Sequence, residues 1–263
     1  PSPAPAAVPF EGGLAEYCTA HESMIVPLPK NFHEGEQARE APVYAFDATR
    51  VWVAHERCVE LHKRMSDQER RLVKEINERM GFRGDGLLVV WGEGGFAKLA
   101  IDTLKIAKAD RKVILIAPSY RWKANDYGIK EDCMLVLGHQ DITQELKKHG
   151  GAEGVLCCDM PTQNLEELLD GCRFHSSLVV LSPRQDQDLK LPVANMLAKS
   201  MTVSGIPLLT HNELDRVLRE AEKQRLRAPV KQYRFDEQGV REAWARCESR
   251  DQFECSVVCM HGQ

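Results

Sequence analysis

The sequence predicts an α/β protein built on a doubly wound parallel sheet, and three observations carry that expectation. An apolar run of strand length, Leu87-Leu88-Val89-Val90-Trp91, ends in the turn Gly92-Glu93-Gly94-Gly95-Phe96-Ala97, and a helical pattern through Leu99, Ile101, Leu104 and Ala107 follows at once. The later apolar runs are short and do not alternate, as strands covered by helices on both faces require. Strand-like and helix-like segments then take turns to the end of the chain, which is the pattern of repeated βα units.

Taken in order, Pro1 to Pro9 is a proline-alanine lead-in without periodicity. Phe10 to Ala20 reads as a turn entering a short strand, and Met24 to Pro29 as a second extended piece closed by prolines. Glu36 to about Lys63 is helical in pattern, with Val43, Phe46, Val51, Val53, Ala54 and Val59 available for a buried side. About Asp67 to Met80 a charged amphipathic helix follows, with Leu72, Val73, Ile76 and Met80 at helical spacing behind the capping box Ser66 and Glu69.

After the glycine turn the expected strands are Lys112 to Ala117, Met134 to Leu137, Gly154 to Cys158, Ser177 to Leu181, Met201 to Ser204, Lys231 to Phe235 and Cys255 to Met260. The expected helices are Ile142 to His149, Asn164 to Gly171, Leu191 to Lys199, Asn212 to Arg225 and Asp236 to Ser249.

The composition, 43% hydrophobic and 28% charged over 263 residues, is that of an ordinary globular chain able to bury a sizeable core. A net charge of −4 gives no field that would attract nucleic acid or an anionic membrane. No apolar run reaches the roughly 20 residues of a membrane span, and the amino terminus has no signal-like pattern, so a soluble cytoplasmic protein is expected. The nine cysteines are scattered, with no C-x-x-C pair, as reduced thiols would be.

Gly92, Gly94 and Ala97 stand at the positions of a G-x-G-x-x-G/A fingerprint. Gly92 permits the tight turn, Gly94 lets backbone amides approach a pyrophosphate, and Ala97 lets the helix pack close to the strand. The acid expected at the end of the next strand is replaced by Ala117, followed by Ser119, Arg121 and Lys123. That exchange favours a 2′-phosphate, hence NADP over NAD; solvated loop cations are the alternative. Glu93 places a carboxylate inside the turn, opposing phosphates if it faces them and neutral if it faces away.

In this order the motifs resemble the carboxy-terminal two thirds of the medium-chain dehydrogenase/reductase family, the zinc alcohol dehydrogenases and quinone reductases. The match runs from Glu11-Gly12-Gly13-Leu14-Ala15-Glu16-Tyr17 and Met24 to Pro29 through the glycine turn, Gly154 to Asp159 and Met201 to Gly205, to the final segment Lys231 to Met260. The resemblance implies a remnant of a GroES-like domain at residues 1–35, a helical connection with an inserted charged helix at 36–85, and a Rossmann-type domain at 86–263. Most of the family's catalytic domain, with its zinc-binding cysteine cluster, has no counterpart, so neither zinc site carries over.

Residues Gly92, Gly94, Gly95, Phe96, Ala97, Ser119, Arg121, Lys123, Asp159, Met160 and Ser182 are the expected NADP-binding set, the last three on loops at the carboxyl ends of strands. Arg50 resembles in position a family residue near the nicotinamide, usually threonine, and would bring a positive charge into the cleft. The expected function is a truncated, zinc-independent reductase acting on a small organic molecule. Two alternatives stand beside it: a scaffold reused as a cofactor-independent isomerase or cyclase, and a non-catalytic nucleotide-sensing or interaction subunit. The 201–205 strand, an edge in the family, predicts a homodimer. His55, Cys58 and His62 share a helix face but lack a fourth group, so no metal is expected there. Adjacent Cys157 and Cys158 should point to opposite faces of a strand as buried residues.

Overall fold

Six strands form one parallel sheet: β1 (Leu87–Trp91), β2 (Val113–Ala117), β3 (Met134–Val136), β4 (Ala152–Cys157), β5 (Cys172–Val180) and β6 (Thr202–Gly205), in the order β3-β2-β1-β4-β5-β6. This is the doubly wound order of a Rossmann-type sheet, and its direction of winding reverses between β1 and β4. The computed structural model describes residues 26–32, 35–107, 111–159, 164–181, 189–206, 209–248 and 253–259. The strand expected between Phe10 and Ala20 lies outside them.

The helices are α1 (Gly35–Val43), α2 (Thr49–Lys63), α3 (Asp67–Arg79), α4 (Gly94–Ile106), α5 (Ile142–Lys148), α6 (Leu165–Asp170), α7 (Val193–Ala198), α8 (His211–Gln224) and α9 (Glu237–Glu248). Among the described residues no helix is long and apolar enough to cross a membrane. Leu88, Val90, Leu115 and Leu156 face one side of the sheet, under α2 and α4, while Leu87, Val89, Ile114 and Val155 face the other, over α5 and α6. Burial on both faces is why these strands read as unbroken apolar runs. Val230–Arg234 (β7) and Cys255–Cys259 (β8) do not extend the sheet but pair with each other in a separate parallel ribbon.

Two elements differ from their sequence-based outlines. The expected helix from Glu36 to Lys63 is divided by a π-helical turn at Tyr44–Ala48. Pro42, inside α1, has no N–H to give the ladder, and the wider turn follows it directly. Thr49 Oγ1 donates to the Tyr44 carbonyl at 3.0 Å, which satisfies one of the displaced acceptors. Strand β5 begins five residues early, because Cys172 pairs with Ala152 before a bulge in which His175 takes φ of 63°.

Two buried polar groups pin that bulge. The side chain of Asn77, at the end of α3, accepts from Phe174 N–H at 2.7 Å, and its amide reaches back to the Phe174 carbonyl. The Lys199 ammonium bonds the carbonyls of Leu169, Asp170 and Cys172, closing the C-terminus of α6. A cation donating to the last carbonyls of a helix offsets both their lost bonds and the dipole. The Ser66 and Glu69 capping box forms at α3 as expected, with Ser66 N–H donating to Glu69 Oε2 at 2.7 Å and Glu69 N–H to Ser66 Oγ at 3.3 Å.

Candidate functional site

The crevice at the carboxyl ends of β1 and β4 is where open α/β sheets place their ligands. Of the sequence-predicted residues, Gly92, Gly94, Gly95, Ser119 and Asp159 gather there, while Ala97 packs into the core and Phe96 against it. Gly92 has φ of 142°, and a side chain on it would press on the backbone nitrogen of Asp159 and on Cys158 at 3.2 Å. The exits of β1 and β4 therefore touch, which brings Asp159 beside the glycine turn. Gly94, with φ of 76°, opens α4. Glu93 precedes it in extended conformation and makes no capping bond; its carboxylate instead receives the Ser119 hydroxyl at 2.8 Å. Ser119, expected to meet a 2′-phosphate, thus donates to a carboxylate of its own chain.

The first turn of α4 is covered by aromatic residues. The Gly94 N–H donates to the Tyr127 hydroxyl at 3.0 Å, and Tyr127 is fully buried, with its phenol pushed up to about 12 chiefly by that burial. A methyl group on Gly95 would run into the main-chain carbonyl of Phe253. The Phe253 ring lies 5.5 Å from Tyr127 and 5.7 Å from Trp122, centroid to centroid. A pyrophosphate on a helix N-terminus needs its amides open and an approach clear of negative charge. In this chain one amide is taken, a carbonyl oxygen lies over the next residue, and a carboxylate flanks them, so the residues present do not fit a pyrophosphate at this turn.

Arg121 and Lys123 are both exposed; the Arg121 guanidinium sits 5.3 Å over the Trp122 ring, and the Lys123 N–H donates to Asp126 at 2.8 Å. Met160 and Ser182 lie outside the described residues. Arg50 is half-buried in the first turn of α2, and its positive charge acts on Asp47 in the π-turn, partly opposing the burial that raises the Asp47 carboxyl above its ordinary range. The Asp47 charge also acts on the thiols of Cys158 and Cys255, so these groups share one neighbourhood behind the crevice.

Cys157 and Cys158 are buried free thiols in the cores on opposite faces of the sheet, as their adjacency predicts. Among the described residues no group of three His, Cys, Asp or Glu side chains gathers as a metal site. His55 and Cys58 face a common cavity, while the side chain of His62 is outside the description.

Tyr127, Phe253 and Asp47 are the site residues that motif reading does not reach. Tyr127 sits in an irregular segment between β2 and β3, where no periodicity marks its inward side, and Phe253 arrives from the far end of the sequence. Asp47 had one local signal, its place three residues before Arg50 in a helical pattern.

No protein-family model matches the chain, and no curated protein matches it. Solved structures do. An NAD-dependent alcohol dehydrogenase is 20% identical with a TM-score of 0.67, covering 95% of this chain and 66% of that one. The alcohol dehydrogenase of the hyperthermophilic archaeon Aeropyrum pernix is 17% identical with a TM-score of 0.69, covering 95% and 65%. A cinnamyl alcohol dehydrogenase from Sorghum bicolor is 15% identical with a TM-score of 0.63, covering 92% and 61%. The chain spans roughly two thirds or less of the length of each, and its fold is that of the alcohol dehydrogenases of the medium-chain dehydrogenase/reductase type.

Proposed function

We propose that this chain is a dehydrogenase-like, small-molecule-binding module that works without a dinucleotide seated on its glycine turn. The observation that carries this reading is the Tyr127 hydroxyl on the Gly94 amide, with the Phe253 carbonyl against Gly95. Fold likeness alone does not fix a function, and the chemistry must come from the residues at the site. Asp159 beside the turn and the Asp47 and Arg50 pair behind it are the polar groups that would orient a ligand in the crevice. This corresponds to the cofactor-independent alternative raised by the sequence.

The second reading is a nicotinamide cofactor, NADP by the residues after β2. It is favoured by the retained Gly92, Gly94 and Ala97 at the β1–α4 turn and by neighbours of this fold that include an NAD-dependent alcohol dehydrogenase. It requires Tyr127 and Phe253 to withdraw and Ser119 to exchange Glu93 for a phosphate.

Thermal unfolding with NADPH or NADH at millimolar concentration separates the two. A ligand present at a hundred times its Kd would add about 2.7 kcal/mol of stability. The expected result is no shift in Tm with either dinucleotide; a saturable upward shift would overturn the first reading in favour of the second.

We also propose that β6 pairs with its counterpart in a second copy. It is the sheet's last strand, with Thr202 and Gly205 exposed and one carbonyl, that of Gly205, accepting from Arg57 at 2.8 Å. Light scattering at micromolar concentration should report a dimer that Val203→Pro converts to a monomer, since proline removes a ladder donor. A wild-type monomer would sink the proposal.

A further inference from the structure

The strands' amino-terminal ends, opposite the glycine turn, hold a second concavity of about 690 Å³, roofed by α2 and α3 and floored by the starts of β1, β4 and β5. That size lies within the range of small-molecule pockets. Five cations, Lys63, Arg70, Lys74, Arg111 and Arg173, line it against one carboxylate, Glu153.

Three of the cations have set tasks. Arg70 chelates the Met65 carbonyl, Arg173 donates to the carbonyls of Gly84 and Gly150, and Arg111 pairs with Glu153 at 3.1 Å. Those bonds rigidify the walls and use up the carboxylate. Lys63 and Lys74, on α2 and α3, have no hydrogen bond or ion pair among the described residues. Deeper in, His55 is only 9% exposed, lines the same cavity and has no hydrogen-bond partner among the described residues. Its ring nitrogens are not among the sealed, unpartnered polar atoms of the core, so they are open to the cavity and available to a ligand there. Burial lowers its pKa, the dominant cause, so the imidazole is neutral near pH 7 and can donate on one nitrogen and accept on the other. Val59, Val73, Leu88 and Ala107 supply an apolar wall.

We infer that this cavity binds a small organic anion, a carboxylate or phosphate carried on an apolar body, with the Lys63 and Lys74 ammonium groups holding the anionic head and His55 meeting a polar atom at the inner end. Excess positive charge selects the head group, and the apolar wall selects the body over a bare ion. The inference stands independently of what the glycine turn binds, since the two sites lie at opposite ends of the same strands.

Titration calorimetry at low salt with phenyl phosphate, benzoate, phenol and inorganic phosphate tests it, alongside NMR of the His55 ring. At least one organic anion should bind saturably in the millimolar range or tighter, more strongly than phenol or inorganic phosphate, and should shift the His55 ring signals. Which of the two binds better identifies the head group. In the Lys63→Gln, Lys74→Gln double variant binding should weaken tenfold or more with Tm unchanged, because both replaced side chains are exposed. Failure of both anions to saturate, equal affinity in the variant, binding without a change at His55, or inorganic phosphate binding as tightly would each overturn the proposal.

Discussion

Tyr44→Ala is expected to destabilise the fold by about 3–5 kcal/mol, the range for removing a buried aromatic ring. Tyr44 is fully buried in the core that joins the π-turn to α8 and β7, packed edge-on against Phe32 at 5.5 Å. Its hydroxyl stands between the Glu40 carboxylate and the Leu226 carbonyl, 2.8 Å from the latter, and accepts from Ala228 N–H at 2.9 Å. Glu40 is 5% exposed, so losing the phenol strands a buried carboxylate whose remaining partners are Arg227 and the Ala228 amide. Burial and the Glu40 charge both drive the Tyr44 phenol above its ordinary value, so it stays a neutral donor at any physiological pH.

Tyr44→Phe separates the ring from the hydroxyl and should cost about 1–3 kcal/mol, the penalty of leaving a buried polar group unsatisfied. Urea unfolding of both variants at constant m value is the measurement. A loss under 1 kcal/mol for the alanine variant would mean that the π-turn is not anchored by this residue. The consequence reaches the crevice, because the same turn carries Asp47 and leads into Arg50.

How much of this was legible follows from the range over which each feature is encoded. The β1 strand, the turn at Gly92 and helix α4 are written in consecutive residues by apolar burial and glycine conformations, so they could be read directly. The Ser66 and Glu69 box is equally local. The β5 bulge could not be read, because His175 takes its positive φ where the pairing with β4 slips between Cys172 and Ser177, and its backbone N–H turns instead to the Lys199 carbonyl at 2.7 Å. Ser119 was placed near the right turn, but its partner Glu93 is 26 positions earlier, and nothing in either neighbourhood announces the bond. Most opaque was the cover over α4: Phe253 meets Tyr127 across 126 positions, and only the folded chain shows that a loop of ordinary composition closes the cradle.

Tyr127 gives the second large effect and the sharpest test of what that cover does. Tyr127→Ala should cost about 3–5 kcal/mol, because a fully buried ring is lost from the core and Phe253 loses its edge-on partner. Tyr127→Phe keeps the ring and removes only the acceptor of the Gly94 N–H, a buried donor whose isolation costs about 1–3 kcal/mol. The phenylalanine variant distinguishes a fixed cover from a displaceable one. If the cover is a plug that a dinucleotide must push aside, removing the hydroxyl frees an amide and raises the fraction of molecules competent to bind, so apparent NADPH affinity rises by that factor. If the cradle is permanently filled, the Phe253 carbonyl and the Glu93 carboxylate still bar the pyrophosphate, and Tyr127→Phe loses stability without gaining affinity. The expected result is the latter: a lower urea midpoint and no saturable change in NADPH fluorescence. An affinity gain of tenfold or more in the variant would instead make Tyr127 the gate of a working cofactor site, since the one bond removed is the bond the phosphate would replace.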